Sequence, residues 1–470
     1  MTKMARSNST LSVVALILLT IVPSVGLGQS PKLIIRNAHI MTMADSQRSP
    51  IDGYISVAQD GTILTVASGE PPADLHAATV VDAHGDWMIP GFISSHSHFY
   101  QAAIRGLAQD KNLLGWIADM GGQHFSKATP DDFYWFTLYG SIDHLAHGIT
   151  SVFDFASGGR AGGSNNAESA YNKAQFRAEL DSGIRFEHAF SIGKLSDTYT
   201  LDQARTRLKA FLEWTATQPP SSHFLSVMIS GTTGGGSLAQ ESAEAAMMKE
   251  FHLGNETHYL ESPENEGEQR ARFHDIMASG VMSPTFFFGH FIHTDDYILQ
   301  QTAKAGAGMS WQPLSNGRLA SGTADIPKYL KMGIRVGMGV DGEASADLAD
   351  PFENMRTGLY AIRDKYENAG IMSPYQVLYL HTMGSADVMG IKDKVGSLER
   401  GKFADLLLIN PARLGPVLED PYANLVFVAG ERDIDSVYLG GDLMAEHNHV
   451  LHHDLSKIED EVYRRVLTLH

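Results

Sequence analysis

Between residues 88 and 340 the chain carries eight short apolar runs, each separated from the next by helix-like sequence. They are MIPGFISSH (88–96), GITSVFDF (148–155), GIRFEHAF (183–190), HFLSVMIS (223–230), ETHYLES (256–262), TFFFGHF (285–291), GAGMSW (306–311) and GIRVGMGV (333–340), and several open on a glycine. Strands that alternate with helices build parallel sheets, because parallel neighbours need a crossover between them. Eight such units in about 300 residues are the arithmetic of a (β/α)8 TIM-like barrel with insertions. The flanks read differently. KLIIRNAHIMTM and YISVAQDGTILTVASG surround Asp-Gly turns at 52–53 and 60–61, and after residue 395 VGSLERGKFADLLLIN, NLVFVAG and SVYLGGDLMAE return to strand texture. The expected architecture is α/β: a barrel over 89–394, with a small β-sandwich built from both chain ends, 29–88 and 395–470.

Composition removes several chemistries. The 470 residues include no cysteine, so disulfides, thiolate-bound zinc, iron–sulfur clusters and cysteine nucleophiles are excluded. A net charge of −18 argues against a nucleic-acid partner, which normally meets a basic face. Residues 1–28 read as a secretory signal: Lys3 and Arg6, the apolar run Leu11 to Val22, Pro23, then small residues at Gly26 and Gly28. Cleavage there would begin the mature chain at Gln29 and take the charge to −20. The expected location is periplasmic or extracellular, with no stable membrane association after cleavage. No later segment has about 18 consecutive apolar residues.

In a (β/α)8 barrel the chemistry sits at the C-terminal strand ends. The first run ends in His96-Ser97-His98, two imidazoles two residues apart and so on one face of a strand. The fifth ends in His258-Tyr259-Leu260-Glu261, the sixth in His290 with His293 close behind, and the eighth in Asp341. Imidazoles and an aspartate make a nitrogen and oxygen shell for one divalent cation with positions left for water. A cation there lowers the pKa of bound water towards neutrality.

These residues resemble the amidohydrolase superfamily, in the branch that holds cytosine, guanine and S-adenosylhomocysteine deaminases and the triazine hydrolases. The resemblance rests on PGFISSHSH (90–98), GITSVFDF (148–155), HYLES (258–262), GHFIH (289–293), PLSNGRLASG (313–322), GMGVDG (337–342) and VGSLERGKFADLLLIN (395–410), in family order from about 32 to 445. It implies His96, His98, His258 and Asp341 as metal ligands, and Asp341 as acceptor of the water's proton. It implies Glu261 as proton carrier to the substrate and His290, with His293 as alternate, as the group that orients the attacking water or polarises the forming oxyanion. Many relatives bridge two metals with a carboxylated lysine on the fourth strand. FLSVMIS has no lysine, so one ion is expected, zinc first and iron second. Gln101 and Arg105 follow the first strand, where relatives sometimes bind substrate. Trp311-Gln312 stands where many deaminases have His or Asn before the proline, so these four residues are expected in the substrate pocket.

The implied activity is hydrolysis of a C–N bond in a small molecule, an amide, urea, carbamate or aminated heterocycle. Deamination of a heterocyclic amidine is the close alternative and a non-catalytic binding protein the remote one; homo-oligomerisation stays open. Competing motifs fall away. Gly337-x-Gly339-x-x-Gly342 fits a dinucleotide fingerprint by letters only, late in the chain and followed by loop-like sequence. No GKS, GKT, HExxH or GxSxG occurs. His144 and His147 on a predicted helix read as structural or exposed, and Trp116, Trp135 and Trp214 as helix packing.

Overall fold

The computed structural model describes residues 30–45, 48–120, 124–156, 165–232, 234–417 and 419–469. The leader expected over 1–28 and the whole glycine-rich segment GGRAGGS (158–164) lie outside the described residues. Five strands precede the barrel: β1 (Leu33–Ile40), β2 (Ile51–Val57), β3 (Ile63–Ser68), β4 (Thr79–Asp82) and β5 (Trp87–Pro90). The barrel strands are β6 (Phe92–Ser97), β7 (Ile149–Phe155), β8 (Arg185–Ser191), β9 (Phe224–Ser230), β10 (Asn255–Tyr259), β11 (Phe286–His290), β12 (Gly308–Trp311) and β13 (Arg335–Met338). β14 (Leu406–Ile409), β15 (Ile434–Leu439), β16 (Asp442–Glu446) and β17 (His449–Val450) follow.

β6 to β13 pair in sequence order, every neighbour parallel. The ring closes just beyond β13. Ser97 bridges Asp341, the Asp341 N–H donates to the His96 carbonyl at 2.9 Å, and the Val340 N–H donates to Ser94 Oγ at 3.0 Å. Closure therefore delivers Asp341 to the same rim as His96 and His98. The intervening helices start on caps their sequence supplies. Thr129 with Asp132 and Thr200 with Gln203 form capping boxes at Pro130–Ala146 and Leu201–Thr215, and Asp350 caps Pro351–Tyr366, each cap contributing about 1 kcal/mol. Ile93, Phe153, Ala189, Met228 and Phe287, from five barrel strands, pack with Ala386, Val388 and Ile391 of the segment that follows the barrel.

The run 88–96 does not form one strand. Trp87–Pro90 joins the second sheet, pairing with β14 antiparallel and beginning beside β1, and the chain enters the barrel only at Phe92. Gly91 makes the transition. Its N–H donates to the Asp405 carbonyl at 3.0 Å, and a Cβ there would fall 2.1 Å from Thr150 Oγ1. The second sheet has nine strands in the order β17-β16-β15-β14-β5-β1-β2-β3, with β4 beside β1. Both chain ends thus meet in one sheet, over a core of its own that includes Leu33, Ile35, Ile55, Leu406 and Tyr438. Among the described residues no helix is long and apolar enough to cross a membrane.

Candidate metal centre and active site

The ends of β6, β10, β11 and β13 converge on one point. His96 lies within β6 and His98 just past it, His258 within β10, and His290 is the last residue of β11; Glu261 and Asp341 sit in the turns after β10 and β13. Those turns are sharp. Leu260, His290, Phe291 and Asp341 have φ of 52°, 64°, 50° and 65°, the left-handed region that non-glycine residues avoid. Each such residue costs on the order of 1 kcal/mol or more, and the surroundings must hold it. Here the Leu260 N–H donates to Gln269 Oε1 at 2.5 Å, the Phe291 N–H to the Tyr259 carbonyl at 3.1 Å, and the His293 N–H to the Leu260 carbonyl at 3.0 Å.

Four donors face one another. Nε2 of His98 lies 3.2 Å from Nε2 of His258 and 3.4 Å from Oδ1 of Asp341, and Nε2 of His96 lies 3.5 Å from the same oxygen. Ligands about 2.1 Å from a tetrahedral ion stand about 3.4 Å apart, and these three spacings match such edges; the donors form two triads that share His96, one with His98 and His258 and one with His290 and Asp341. Nε2 of His96 and Nδ1 of His258 are buried with no hydrogen-bond partner among the described residues. The nitrogen and oxygen donor set suits zinc or iron, and the residues fit a divalent cation.

Electrostatics divide the labour. Burial alone would raise the Asp341 carboxyl, but the charge of the His96 imidazole 3.5 Å away, backed by His98, holds it well below the usual carboxylate range. Burial, reinforced by the charge of Asp341, pushes Glu261 up to about 8. Burial drives His290 down to about 3, and His258 well below its ordinary value, so both rings are neutral. His96 goes the other way: burial opposes, but Glu256 and Asp341 carry it up to about 10. These two carboxylates draw positive charge to the spot where the donors converge.

His290 is the imidazole of its pair that enters the site. Its Nε2 lies 3.5 Å from Glu261 Oε2 and 3.9 Å from Asp341 Oδ2. Asn316 Nδ2 donates to its Nδ1 at 2.8 Å, which leaves the proton on Nε2, pointing inward. His293 is turned away, with Nε2 on the Ser321 carbonyl at 2.8 Å and Nδ1 on Glu266 at 3.0 Å.

A cavity of about 520 Å³ opens over the metal donors. Its lining includes the aromatic side chains of Tyr100, Trp116, Phe125 and Phe155 and the polar Ser191, Lys194 and Thr232. Gln101 lines it, its buried Oε1 without a hydrogen-bond partner among the described residues. The other three expected pocket residues are elsewhere. Trp311 is 1% exposed and packs on the helix Pro351–Tyr366, where a Cβ on Gly358 would come within 2.6 Å of its ring. Gln312 accepts the His290 N–H at 2.9 Å and donates to Ser310 Oγ at 2.7 Å, so its amide braces β11 rather than facing the cavity. Arg105 Nε donates to Glu343 at 2.5 Å and its guanidinium pairs with Asp143 at 3.0 Å, tying the loop after Asp341 to the helix Pro130–Ala146. Trp116, expected only to pack helices, lines the cavity while its Nε1–H donates to the Ala344 carbonyl at 2.9 Å. His144 is fully buried and structural, its Nε2 3.1 Å from Ser97 Oγ between the two imidazoles of β6.

Two supporting residues escape sequence reasoning. Glu256, fully buried, lies 2.5 Å from Nδ1 of His96. The signal for it was present, since Glu256 is two residues from His258 and shares its strand face. Asn316 has no comparable spacing signal.

A closed parallel barrel with histidines and an aspartate converging at its C-terminal rim, and a buried glutamate beside them, is the framework of a metal-dependent hydrolase. The chain belongs to the amidohydrolase family, whose sequence model matches residues 87–444. It is 28% identical over 435 residues to a 5-methylthioadenosine/S-adenosylhomocysteine deaminase of Desulforudis audaxviator, across 89% of this chain and 95% of that protein. In fold it is similar to an adenosine deaminase from Xanthomonas campestris with bound zinc, at a TM-score of 0.81 and 18% identity over 94% of this chain and 99% of that one. It is also similar to the atrazine chlorohydrolase of Arthrobacter aurescens complexed with zinc, at 0.80 and 23% over 92% and 100%.

Proposed function

We propose that this enzyme replaces an amino group on the sp² carbon of a small aromatic heterocycle by oxygen, releasing ammonia. The observation that carries the reading is a pair of buried carboxyls, Glu261 at 3.5 Å and Asp341 at 3.9 Å from His290 Nε2, with burial pushing the first up to about 8 and His96 holding the second well below the usual carboxylate range. His96, His98, His258 and Asp341 would hold one divalent cation, zinc on the likeness to zinc-bound structures, and that ion would supply a water acidic enough to ionise near neutral pH.

Asp341 accepts the proton given up by the attacking water. Glu261 delivers its proton to the ring nitrogen beside the attacked carbon, so a C–O bond forms as the C=N bond opens. The His290 Nε2–H donates to the oxygen that adds, where charge develops. Asp341 then passes its proton to the amino group, the C–N bond breaks with its electron pair leaving on ammonia, and the hydroxyl proton of the adduct returns to Glu261. The balance is one water consumed and one ammonia released. A flat ring suits a lining that includes Tyr100, Trp116, Phe125 and Phe155, and the cavity volume suits a small ligand. Gln101 offers the substrate an amide. Amide or urea hydrolysis would use the same groups with the proton delivered to a leaving amine. The proposal includes export, supported by the basic start and the apolar run Leu11 to Val22.

The test is incubation of metal-loaded protein with a panel of aminated heterocycles and aryl amides, assaying ammonia against amine. Ammonia from heterocycles is expected. Amine release alone would replace deamination by amide hydrolysis, and neither product above a metal-stripped control would overturn the hydrolase reading.

A further inference from the structure

Glu256 lies outside the reaction just described, yet it is fully buried against the metal donors. Its Oε1 is 2.5 Å from Nδ1 of His96, and both side chains are inaccessible to solvent. A carboxylate in that place accepts the Nδ1 proton, fixes the tautomer that leaves Nε2 as the free donor, and stops rotation of the ring. The room for this contact comes from Gly289, the residue before His290. A Cβ there would lie 2.9 Å from Glu256 Oε1 and 3.0 Å from both Cε1 and Nδ1 of His96. The register of β10 with β11 explains the stacking, since His258 pairs with Gly289 and Tyr259 with His290. One strand thus presents His258 and, two residues earlier on the same face, the brace for His96 on another strand.

We infer that Glu256 is a positioning residue for the metal centre, acting through Nδ1 of His96, and that Gly289 is required at its position because any side chain would wedge this pair apart. The inference rests on the reading of His96, His98, His258 and Asp341 as a metal site. A lone buried glutamate against a histidine also fits a purely structural pairing, but that role gives no reason for the ring's other nitrogen to be aimed, without a hydrogen-bond partner among the described residues, at three further donors.

The test measures zinc affinity directly, by competition with a chromophoric chelator, on the parent, Glu256→Gln and Gly289→Ala. Removing an outer partner of a metal-bound histidine typically weakens binding by about 10- to 100-fold. Glu256→Gln is expected to fall in that range, with a lower melting temperature of the metal-free protein because the buried His96 loses its carboxylate partner. Gly289→Ala leaves every charge in place and is expected to weaken zinc binding at least several-fold by geometry alone, which keeps the test open if Glu256→Gln fails to fold. Cobalt substitution gives a second readout: the visible absorption of the bound ion should change shape in both variants. Affinities and cobalt spectra unchanged in both variants, or in Gly289→Ala where only that variant folds, would overturn the positioning role while leaving the metal site standing. A parent that binds neither zinc nor cobalt would instead remove the metal site itself.

Discussion

Replacing Glu261 by glutamine keeps the shape of the side chain and removes its titration. Burial and Asp341 raise the parent carboxyl from an ordinary 4.5 to about 8 in the metal-free fold. Between those values the folded protein holds a proton that the unfolded chain has already released, so folding stability falls as pH rises through this window. At about 1.36 kcal/mol per pH unit, the loss between pH 5 and pH 9 is about 4 kcal/mol. For a chain of 470 residues with an unfolding entropy of about 2 cal/mol/K per residue, that is about 4 °C of melting temperature. Glu261→Gln has no such slope. Melting the metal-free parent and variant side by side should therefore show the variant gaining about 4 °C on the parent between pH 5 and pH 9. In the metal-loaded enzyme the same substitution removes the proton delivered to the substrate, and kcat should fall by about 10²- to 10⁴-fold. The parent's kcat/KM should decline on the alkaline side as Glu261 ionises, at lower pH than in the metal-free fold because a nearby cation favours the carboxylate. A melting difference that stays constant within about 1 °C between the two pH values would refute the argument, because Glu261 would then not be a buried acid.

Further outcomes follow from the same geometry. Asp341→Asn should lower turnover by at least about 10³-fold and weaken metal binding while the far-UV circular dichroism stays that of the parent; near-parental turnover would contradict its role as proton acceptor. Asn316→Leu removes the donor that fixes the His290 tautomer, worth about 1 kcal/mol, so kcat should fall about fivefold with KM little changed, and an unaltered kcat would show that the tautomer does not depend on Asn316. Chelation should abolish turnover, and one equivalent of zinc per chain, counted by elemental analysis, should restore it; a requirement for two would contradict the single-ion reading of β9, which offers no lysine. Intact mass of protein recovered outside the cytoplasm should place the first residue at Gln29, and a chain retaining residues 1–28 would rule out a cleaved leader.

The barrel was legible because most residues of its strands are buried on both faces and so stand out as apolar runs between helical stretches. The ligand positions were legible because barrel chemistry is confined to strand ends, which reduces 21 histidines to a few. What failed to show was direction. Period-two alternation says which residues share a face, but positive φ at Leu260, His290 and Asp341 turns the chain just where the side chains matter. Trp311 and Gln312, expected in the pocket, instead face the adjoining helix and the backbone of β11. The split of residues 88–96 was hidden for a related reason, because Met88 and Ile93 are equally buried and only hydrogen bonding to different sheets separates them. Arg105 pairs with an acid 238 residues away, a partner no local pattern reveals. Glu256 was within reach of the same-face rule, had it been extended from ligands to the carboxylates that orient them.

The central claim is that residues on four strand ends direct a water molecule at an sp² carbon and expel ammonia. Single turnover in ¹⁸O-labelled water, with the fastest-reacting aminated heterocycle and metal-loaded protein, tests it most directly. One ¹⁸O atom at the former amino carbon, with one ammonia released per product formed and neither seen with stripped protein, is the predicted result. Product without label, or label without ammonia, would contradict the account.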